Sequence, residues 1–329
     1  MRLIGHAAAA AEWAAAVASG NLHHAWLLAG PEGVGKATFA RAAALRLLAE
    51  AAGEAALPPG LSVPDDHRTA RLIAASTHPD YRELRRLAKD ADRPDELARS
   101  IPIAQVRELI GRLANKPALS ARRAIVLDAV DDLERPGASN ALLKSLEEPP
   151  AGTVFLLVSH APGKLLPTIR SRCRLLRFGR LSDTDVEAVL AEALPDAKPV
   201  ERAALVRASE GAPGRGMHYA GLDVAALDRA LAAIAETGDR DNGERLKLGR
   251  ALGTKAAQAR YELFLDRAPA VIARAARDRT GEGLRTALDA HAAARDLAGA
   301  AVGLSLDPAA TVFEMAGLVA RLASRVGAG

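Results

Sequence analysis

Cysteine is nearly absent from this sequence, since Cys173 is the only one among 329 residues. One cysteine cannot form a disulfide within the chain, and it excludes a zinc site built from cysteines. The isolated pair His67 and His78 is more typical of structural or exposed side chains than of a metal site. We therefore expect no zinc and assign no metal ligand.

Long apolar runs and aromatic side chains are also scarce. No stretch approaches the roughly 20 apolar residues of a membrane span, and residues 1–13 show neither a basic leader nor an apolar run of signal length. These absences predict a cytoplasmic protein with no membrane partner. Aromatic residues make up only 3% of the chain, so the core must rest on Leu, Val, Ile and the abundant Ala, which favours helices.

Charge of either sign is not in large excess. Hydrophobic residues make up 49%, charged residues 26%, and the formal net charge is +4. This composition is ordinary for a chain with an apolar core, and the length predicts two or three domains. The weakly basic balance allows a nucleic-acid partner without requiring one. Basic groups at residues 82–89 and 107–123 lack interleaved aromatic side chains for base stacking, which favours a solvated surface for each. Contact with nucleic-acid phosphates that does not depend on base sequence stays open as the alternative.

A glycine-rich segment is the strongest motif that is present. Residues 30–38 read Gly-Pro-Glu-Gly-Val-Gly-Lys-Ala-Thr, between an apolar run at 25–29 and a helical pattern at 36–50. In such a loop the glycines let backbone N–H groups turn inward around phosphate oxygens, while the helix N-terminus and the lysine add positive charge. We predict a phosphate-binding loop in which Gly30, Gly33, Gly35 and Lys36 bind a nucleotide.

One position of this loop departs from the usual pattern. A Ser or Thr normally follows the lysine because its hydroxyl binds Mg²⁺, but Ala37 stands there. Thr38 comes next and is turned by roughly 100° around the helix, although it is kept among the nucleotide-binding candidates. We therefore expect that ATP can bind, with Mg²⁺ held weakly if at all.

A second acidic motif follows the apolar run 124–127. Asp128 ends that run, where the Asp of a phosphate-loop site holds the metal. The Glu that usually follows and activates water is replaced by Ala129, and loss of a general base typically costs about 10²–10⁴-fold in rate. Asp131 is the alternative base if the strand continues. Two coincident losses predict a site that does not hydrolyse ATP.

The order of elements predicts the fold class. Strands and helices alternate, which favours a parallel sheet with helices on both faces. Expected strands lie at 25–29, 81–84, 124–127, 154–158 and 174–178, with an irregular connection at 51–77 and a loop at 89–100. After residue 178 only helices are expected, at 182–194 with a capping-box-like start, at 200–209, and beyond 222 with a polar break at 237–243. The last helix should begin at Asp307 and Pro308 and carry an apolar stripe to Val326.

Four short motifs together carry a family resemblance. They are the run Asn140–Pro150, the triplet Ser171-Arg172-Cys173, His24-Ala25, and His78-Pro79-Asp80. These resemble the bacterial clamp-loader AAA+ family, the gamma/tau and delta-prime subunits of DNA polymerase III, over roughly residues 3–215. The missing hydroxyl and glutamate resemble the delta-prime branch. The four-cysteine zinc module known in the family is missing from residues 51–77, which is a departure.

The resemblance implies an architecture and a mechanism. It implies a RecA-like AAA+ P-loop domain at 1–180, a helical lid at 181–221 and an all-α collar at 222–329. Clamp loaders are rings of five subunits, and Arg172 would act in trans as an arginine finger on a neighbour's γ-phosphate. Ser159 and Arg215 take the places of the two nucleotide sensors. Implied partners are the gamma/tau and delta subunits, the sliding clamp and primed DNA, within the DNA polymerase III holoenzyme, a DNA-directed DNA polymerase.

Two other functions stay open at this point. An active ATPase of the gamma/tau type predicts hydrolysis by the isolated chain, against which Ala37 and Ala129 argue. A stand-alone DNA-binding AAA+ protein predicts DNA affinity with a steep salt dependence, and it leaves Arg172 with no phosphate to contact.

Overall fold

The computed structural model describes residues 3–53, 56–90 and 92–323. Contacts divide the chain into two compact units. The first comprises Met1–Ala193 and Ser209–Arg215, and the second comprises Leu194–Ala208 and Gly216–Gly329. The three-part division at residues 180 and 221 stays a prediction.

A parallel sheet forms the centre of the first unit. Its described strands are β1 (Ala25–Ala29), β2 (Tyr81–Arg85), β3 (Ala88–Asp90), β4 (Arg93–Leu97), β5 (Arg123–Asp128), β6 (Thr153–Ser159) and β7 (Arg174–Arg177). Five of them pair in parallel in the order β2-β5-β6-β1-β7, and β3 and β4 form a separate antiparallel hairpin. Ala25 of β1 lies opposite Phe155 of β6, and Trp26 lies opposite Arg174 of β7. The strand that precedes the glycine-rich loop is therefore an interior strand, paired on both sides, and β7 lies at the edge.

Helices cover both faces of this sheet. They are α1 (Ala7–Ala18), α2 (Lys36–Ala52), α3 (Arg68–Ala74), α4 (Ile103–Leu113), α5 (Gly137–Glu147), α6 (Pro167–Arg170) and α7 (Asp183–Ala193). Trp26 and Leu28 of β1 join one core cluster with residues of α1 and α2, whereas Leu27 joins a second cluster with residues of α4 and α5. Burial on both faces explains why the central strands are continuous apolar runs rather than alternating ones.

The few aromatic side chains are concentrated in the first of these clusters. The ring centroids of Trp13 and Trp26 lie 5.2 Å apart, those of Trp13 and Phe39 6.5 Å apart, and those of Phe39 and Phe178 5.1 Å apart, all edge to face. This arrangement favours the ring quadrupoles. It ties α1, the start of α2 and the end of β7 to the strand that carries the loop.

The rest of the chain is helical. Its helices are α8 (Pro199–Ser209), α9 (Pro213–His218), α10 (Val224–Thr237), α11 (Gly243–Leu252), α12 (Gln258–Arg277), α13 (Gly281–Leu304) and α14 (Pro308–Ala320). Leu231, Phe264 and Val312 from three of them are fully buried in the second unit. Arg267 of α12 is fully buried too, and its Nη2 lies 2.8 Å from Asp228 Oδ1 of α10. This ion pair joins two helices through their interior.

The predicted RecA-like α/β class with an all-helical C-terminal region is confirmed. The N-cap at Asp307 is confirmed as well, because its Oδ1 accepts a hydrogen bond of 2.8 Å from the Ala310 N–H. The predicted loop at 89–100 is wrong, since it contains most of the β3–β4 hairpin, and the connection at 51–77 includes α3. Val326 lies outside the described residues. Across the described part of the chain, every helix is too short or too polar to span a bilayer.

Candidate nucleotide site and an arginine at the sheet edge

The glycine-rich loop joins the interior strand β1 to α2. Gly33 and Gly35 adopt φ of 79° and 102°, in the left-handed region that a side chain disfavours. Gly30 has a different constraint, because a Cβ there would lie 2.1 Å from the Phe178 carbonyl oxygen. The three glycines predicted to bind nucleotide are thus required by the backbone itself.

Backbone donors of this loop are available for an anion. Among the described residues, no backbone acceptor is recorded for the N–H groups of Gly33, Val34 and Gly35. They precede the N-terminus of the 17-residue α2, where the helix dipole also favours negative charge. The loop fits the phosphate groups of a nucleotide.

Lys36 lies inside the same loop. Its Nζ donates to the carbonyl oxygens of Gly30 at 2.8 Å and Pro31 at 2.5 Å, and the residue is only 2% exposed. Burial lowers the pKa of Lys36 to about 8, although the negative charges of Glu32, Asp128 and Asp131 oppose the shift. A phosphate group in the loop would add further negative charge beside this buried ammonium and favour its protonated form.

The two residues after the lysine offer little to a metal. The methyl group of Ala37 packs against the core cluster beneath α2, so no oxygen stands where Mg²⁺ would need one. Thr38 is partly buried in the first turn of α2. Its role in nucleotide binding stays a prediction.

Asp128 ends β5 beside the loop, but a neighbouring arginine engages it. Arg41 Nη2 lies 3.1 Å from Asp128 Oδ2, and the same guanidinium forms a fork on Glu83, with Nη2–Oε1 at 2.6 Å. Burial raises the pKa of Asp128, and the positive charge of Arg41 works against that shift. A carboxylate that already pairs with Arg41 is a weaker metal ligand than a free one.

Glu83 is the second acid of this cluster. It accepts a hydrogen bond of 2.8 Å from the Tyr81 hydroxyl as well as the fork from Arg41. Burial by itself would raise the pKa of Glu83, but the hydrogen bonds and charge of Arg41 lower it overall. Sequence reasoning missed Arg41 and Glu83. The available signal was an acid inside strand β2, since a half-buried charge in a strand requires a partner.

A cavity of about 450 Å³ opens beside Asp128 at the carboxyl edge of the sheet. Its lining includes Glu32 of the loop, Arg41, Ala129 and His160. Ligands of open α/β sheets bind at this edge. The first unit therefore keeps room for a ligand next to the phosphate loop.

The position of the general base is filled by a methyl group, and the alternative base is already engaged. Ala129 is buried. Asp131 Oδ1 accepts hydrogen bonds from Ser159 Oγ at 3.0 Å and the Ala161 N–H at 3.3 Å, while Oδ2 accepts one of 2.7 Å from the His160 N–H. Asp131 thus holds the turn after β6 in place.

Ser159 and Arg215, the two predicted sensors, lie close to the loop through their backbone. The Gly30 N–H donates to the Ser159 carbonyl at 3.3 Å, but the Ser159 hydroxyl is buried and directed to Asp131. The Gly214 N–H donates to the Gly33 carbonyl at 2.9 Å. The guanidinium of Arg215 pairs with Glu210 at 3.2 Å. Contact of either side chain with a nucleotide stays a prediction.

His6 is another residue of the site that sequence reasoning missed. Its Nε2 lies 2.7 Å from the Val34 carbonyl oxygen, and its ring packs edge to face on Phe178 at 4.8 Å. In the tautomer with the proton on Nε2, His6 donates to the phosphate loop. No pattern in the sequence links a histidine to a carbonyl 28 residues further along the chain.

Arg172 lies apart from these residues, just before the edge strand β7. Its Nη2 is 2.7 Å from Glu147 Oε1 at the end of α5, and its Nη1 donates to the Thr168 carbonyl at 2.9 Å. The side chain is one-third exposed. The structure therefore does not bring Arg172 to the phosphate loop of its own chain, and it leaves the guanidinium accessible at the rim of the sheet.

Comparison with known proteins assigns the family. The family model described as "DNA polymerase III, delta subunit" matches residues 5–182, more than half of the chain. The chain belongs to this DNA polymerase III delta-subunit family. The match to the family covers the phosphate loop, Asp128, Ser159 and Arg172, and it ends before Arg215.

Individual delta-prime subunits and related subunits are also similar to this chain. The chain is 37% identical to the DNA polymerase III subunit delta-prime of Pseudomonas aeruginosa over 190 residues, 58% of this chain and 53% of that protein. It is 32% identical to the delta-prime subunit of Escherichia coli over 200 residues, 60% and 55% respectively. The tau subunit of Escherichia coli is 30% identical over 71% of this chain and 34% of its own length. The chain spans about half the length of the delta-prime relatives it matches.

Proposed function

We propose that this chain is a clamp-loader subunit that binds ATP without hydrolysing it and supplies Arg172 to a neighbouring ATPase subunit. Its partners would be gamma/tau and delta subunits, a sliding clamp and primed DNA. The names of its relatives support membership of a DNA polymerase III assembly. The residues around its own loop support the part of the proposal in which this chain binds ATP without hydrolysing it.

The observation that carries the proposal is that both carboxylate oxygens of Asp131 already accept hydrogen bonds from the turn after β6. Hydrolysis requires a carboxylate that orients and deprotonates water. Ala129 cannot do this, and three donors already occupy the oxygens of Asp131. Asp128 is therefore paired with Arg41 and Asp131 is engaged in holding the turn after β6, which supports a site without a general base.

ATP fits the residues that are present better than Mg²⁺ does. The loop N–H groups and Lys36 would hold the phosphates, and Gly33 and Gly35 keep the loop open to them. For the metal, the chain offers Asp128, which Arg41 shares, and no hydroxyl at Ala37. When bound, ATP would supply negative charge that neutralises Lys36 and orders the loop.

Arg172 fits a role in trans because of where it lies. An arginine that completes a neighbour's site must be accessible at the edge of its own unit, and Arg172 precedes the edge strand β7. Such a residue typically contributes about 10³–10⁵ in rate to phosphoryl transfer. Its distance from its own loop supports an acceptor on another chain.

Two measurements test the proposal. The purified chain should bind a fluorescent ATP analogue but release no phosphate above background, and hydrolysis at the rate of a working ATPase would overturn the non-hydrolysing role.

In the loader assembled with its partner subunits, Arg172→Ala should lower the clamp- and DNA-stimulated ATPase at unchanged assembly. Arg170→Ala, an arginine two residues away on α6, is the matched control and should leave the rate unchanged. An unaltered rate with Arg172→Ala would refute the role in trans.

A further inference from the structure

The guanidinium of Arg172 is already bound on its own chain. One nitrogen contacts the Glu147 carboxylate at 2.7 Å and the other donates to the Thr168 carbonyl at 2.9 Å. One acceptor is a charged carboxylate oxygen and the other is a neutral peptide carbonyl. The side chain is therefore held in one direction before any neighbour is present.

Glu147 occupies a costly place for an acid. It is the last residue of α5, where the helix dipole disfavours negative charge, by typically 0.3–1 kcal/mol at exposed sites. Its side chain is 47% exposed, so packing does not explain it. The contact with Arg172 is the described feature that compensates this charge.

We propose that Glu147 is a positioning residue that holds Arg172 in a resting conformation on its own chain, called the parked state below. A neighbour's triphosphate must displace the Glu147 carboxylate before the arginine can act. The inference rests on the proposed role of Arg172 in trans. A carboxylate and a phosphate compete for the same guanidinium donors. The partner with the higher charge and better geometry takes the arginine.

The partial exposure of both side chains makes this exchange easy. Exposed ion pairs are worth at most about 1 kcal/mol, so the parked state biases Arg172 without locking it. Removing the competing charge should therefore increase the fraction of released arginine by a small factor.

The test compares variants of this chain in the assembled loader. Glu147→Gln keeps the size of the side chain and removes its charge. It should raise the ATPase rate measured without clamp and DNA by about two- to five-fold, the range expected from loss of one exposed ion pair. The apparent KM for ATP should fall while the fully stimulated kcat stays within about two-fold of wild type. Glu148→Gln is the control, because Glu148 is exposed, adjacent and without a recorded ion pair among the described residues, and its rates should equal those of wild type.

A double variant separates the parked state from a general effect on folding. Glu147→Gln combined with Arg172→Ala should behave like Arg172→Ala alone, since Glu147 acts through Arg172. The thermal stability of Glu147→Gln should match or slightly exceed that of wild type, because a charge at the wrong end of a helix is removed.

The outcomes distinguish this inference from the proposed function. If Arg172→Ala lowers the rate but Glu147→Gln leaves it unchanged or lowers it, the parked state is refuted and the role of Arg172 in trans stands. If Arg172→Ala has no effect, both are refuted. An increase with Glu147→Gln that persists in the double variant also overturns the inference, because the effect would not pass through Arg172.

Discussion

Asp131→Ala should destabilise the first unit strongly, although Asp131 is only a partly buried acid in the short 3₁₀ segment after β5. The Ser159 hydroxyl and the N–H groups of His160 and Ala161 donate to this carboxylate at 2.7–3.3 Å. The substitution leaves these donors without their acceptor. A buried donor left without an acceptor costs about 1–3 kcal/mol, whereas the amides of a partly open turn recover part of the loss from water. We estimate about 3 kcal/mol in total from these values.

The expected shift can be measured by thermal unfolding followed by circular dichroism. For a unit of this size, each kcal/mol lowers the Tm by about 2–4 °C, which gives about 6–12 °C for Asp131→Ala. Asp132→Ala is the matched control. Its carboxylate pairs with Arg86 at 3.1 Å with both side chains partly exposed, so the Tm should fall by less than about 4 °C.

Asp131→Asn refines the same prediction. It keeps one oxygen for Ser159 or His160 and should give an intermediate Tm. In the assembled loader its ATPase rate should match that of wild type once the assembly is intact. Equal shifts for Asp131→Ala and Asp132→Ala would refute the structural role. Loss of ATPase in Asp131→Asn at unchanged Tm would instead make this acid a catalytic base.

Three further outcomes follow from the contacts described above. Because the pKa of Lys36 is lowered to about 8, affinity for a fluorescent ATP analogue should fall as the pH rises from 7 to 9, and Lys36→Ala should bind weakly at every pH. Gly30→Ala would place a Cβ 2.1 Å from the Phe178 carbonyl, so analogue binding and the Tm should both fall, whereas Gly163→Ala, which meets open space, should change neither. Asp228→Ala leaves the fully buried Arg267 charge uncompensated; we expect a loss of about 2–4 kcal/mol in the unfolding free energy, measured by urea unfolding, and Arg267→Met combined with Asp228→Leu should recover part of it.

The sequence predicted those parts of the site that depend on local backbone. Gly33 and Gly35 are needed for positive φ, Lys36 starts a helix, and Asp128 ends an apolar strand. Each of these features follows from residues within one strand–loop–helix segment. The interior strands could be predicted equally well, because strands buried on both faces of a parallel sheet are continuous apolar runs.

The contacts that were missed join residues far apart in the chain. Arg41 reaches Glu83 and Asp128, which are 42 and 87 residues away, and no periodicity connects them. Asp131 offered a more misleading signal, since it lies two residues after Ala129, the position of the usual general base, and so suggested an alternative base. The chain instead turns after β5 into a short 3₁₀ segment, Val130–Asp132, which directs Asp131 to the turn after β6.

Two secondary-structure errors have local causes. The β3–β4 hairpin has mostly charged and exposed residues, so apolar alternation could not reveal it. Helix α1 was missed because its residues are nearly all alanine, and a run of alanines gives a weak amphipathic pattern despite a high helix propensity. Its buried face shows only once Trp13 packs on Trp26.

The aromatic cluster under the phosphate loop provides an intrinsic fluorescence signal for the first unit. The sequence has two tryptophans, and both lie in the first unit with ring centroids 5.2 Å apart. Indole emission therefore reports on that unit, while the helical signal in the far ultraviolet draws on both. Thermal unfolding followed by both signals would separate unfolding of the first unit from unfolding of the second, without a dye or an engineered probe.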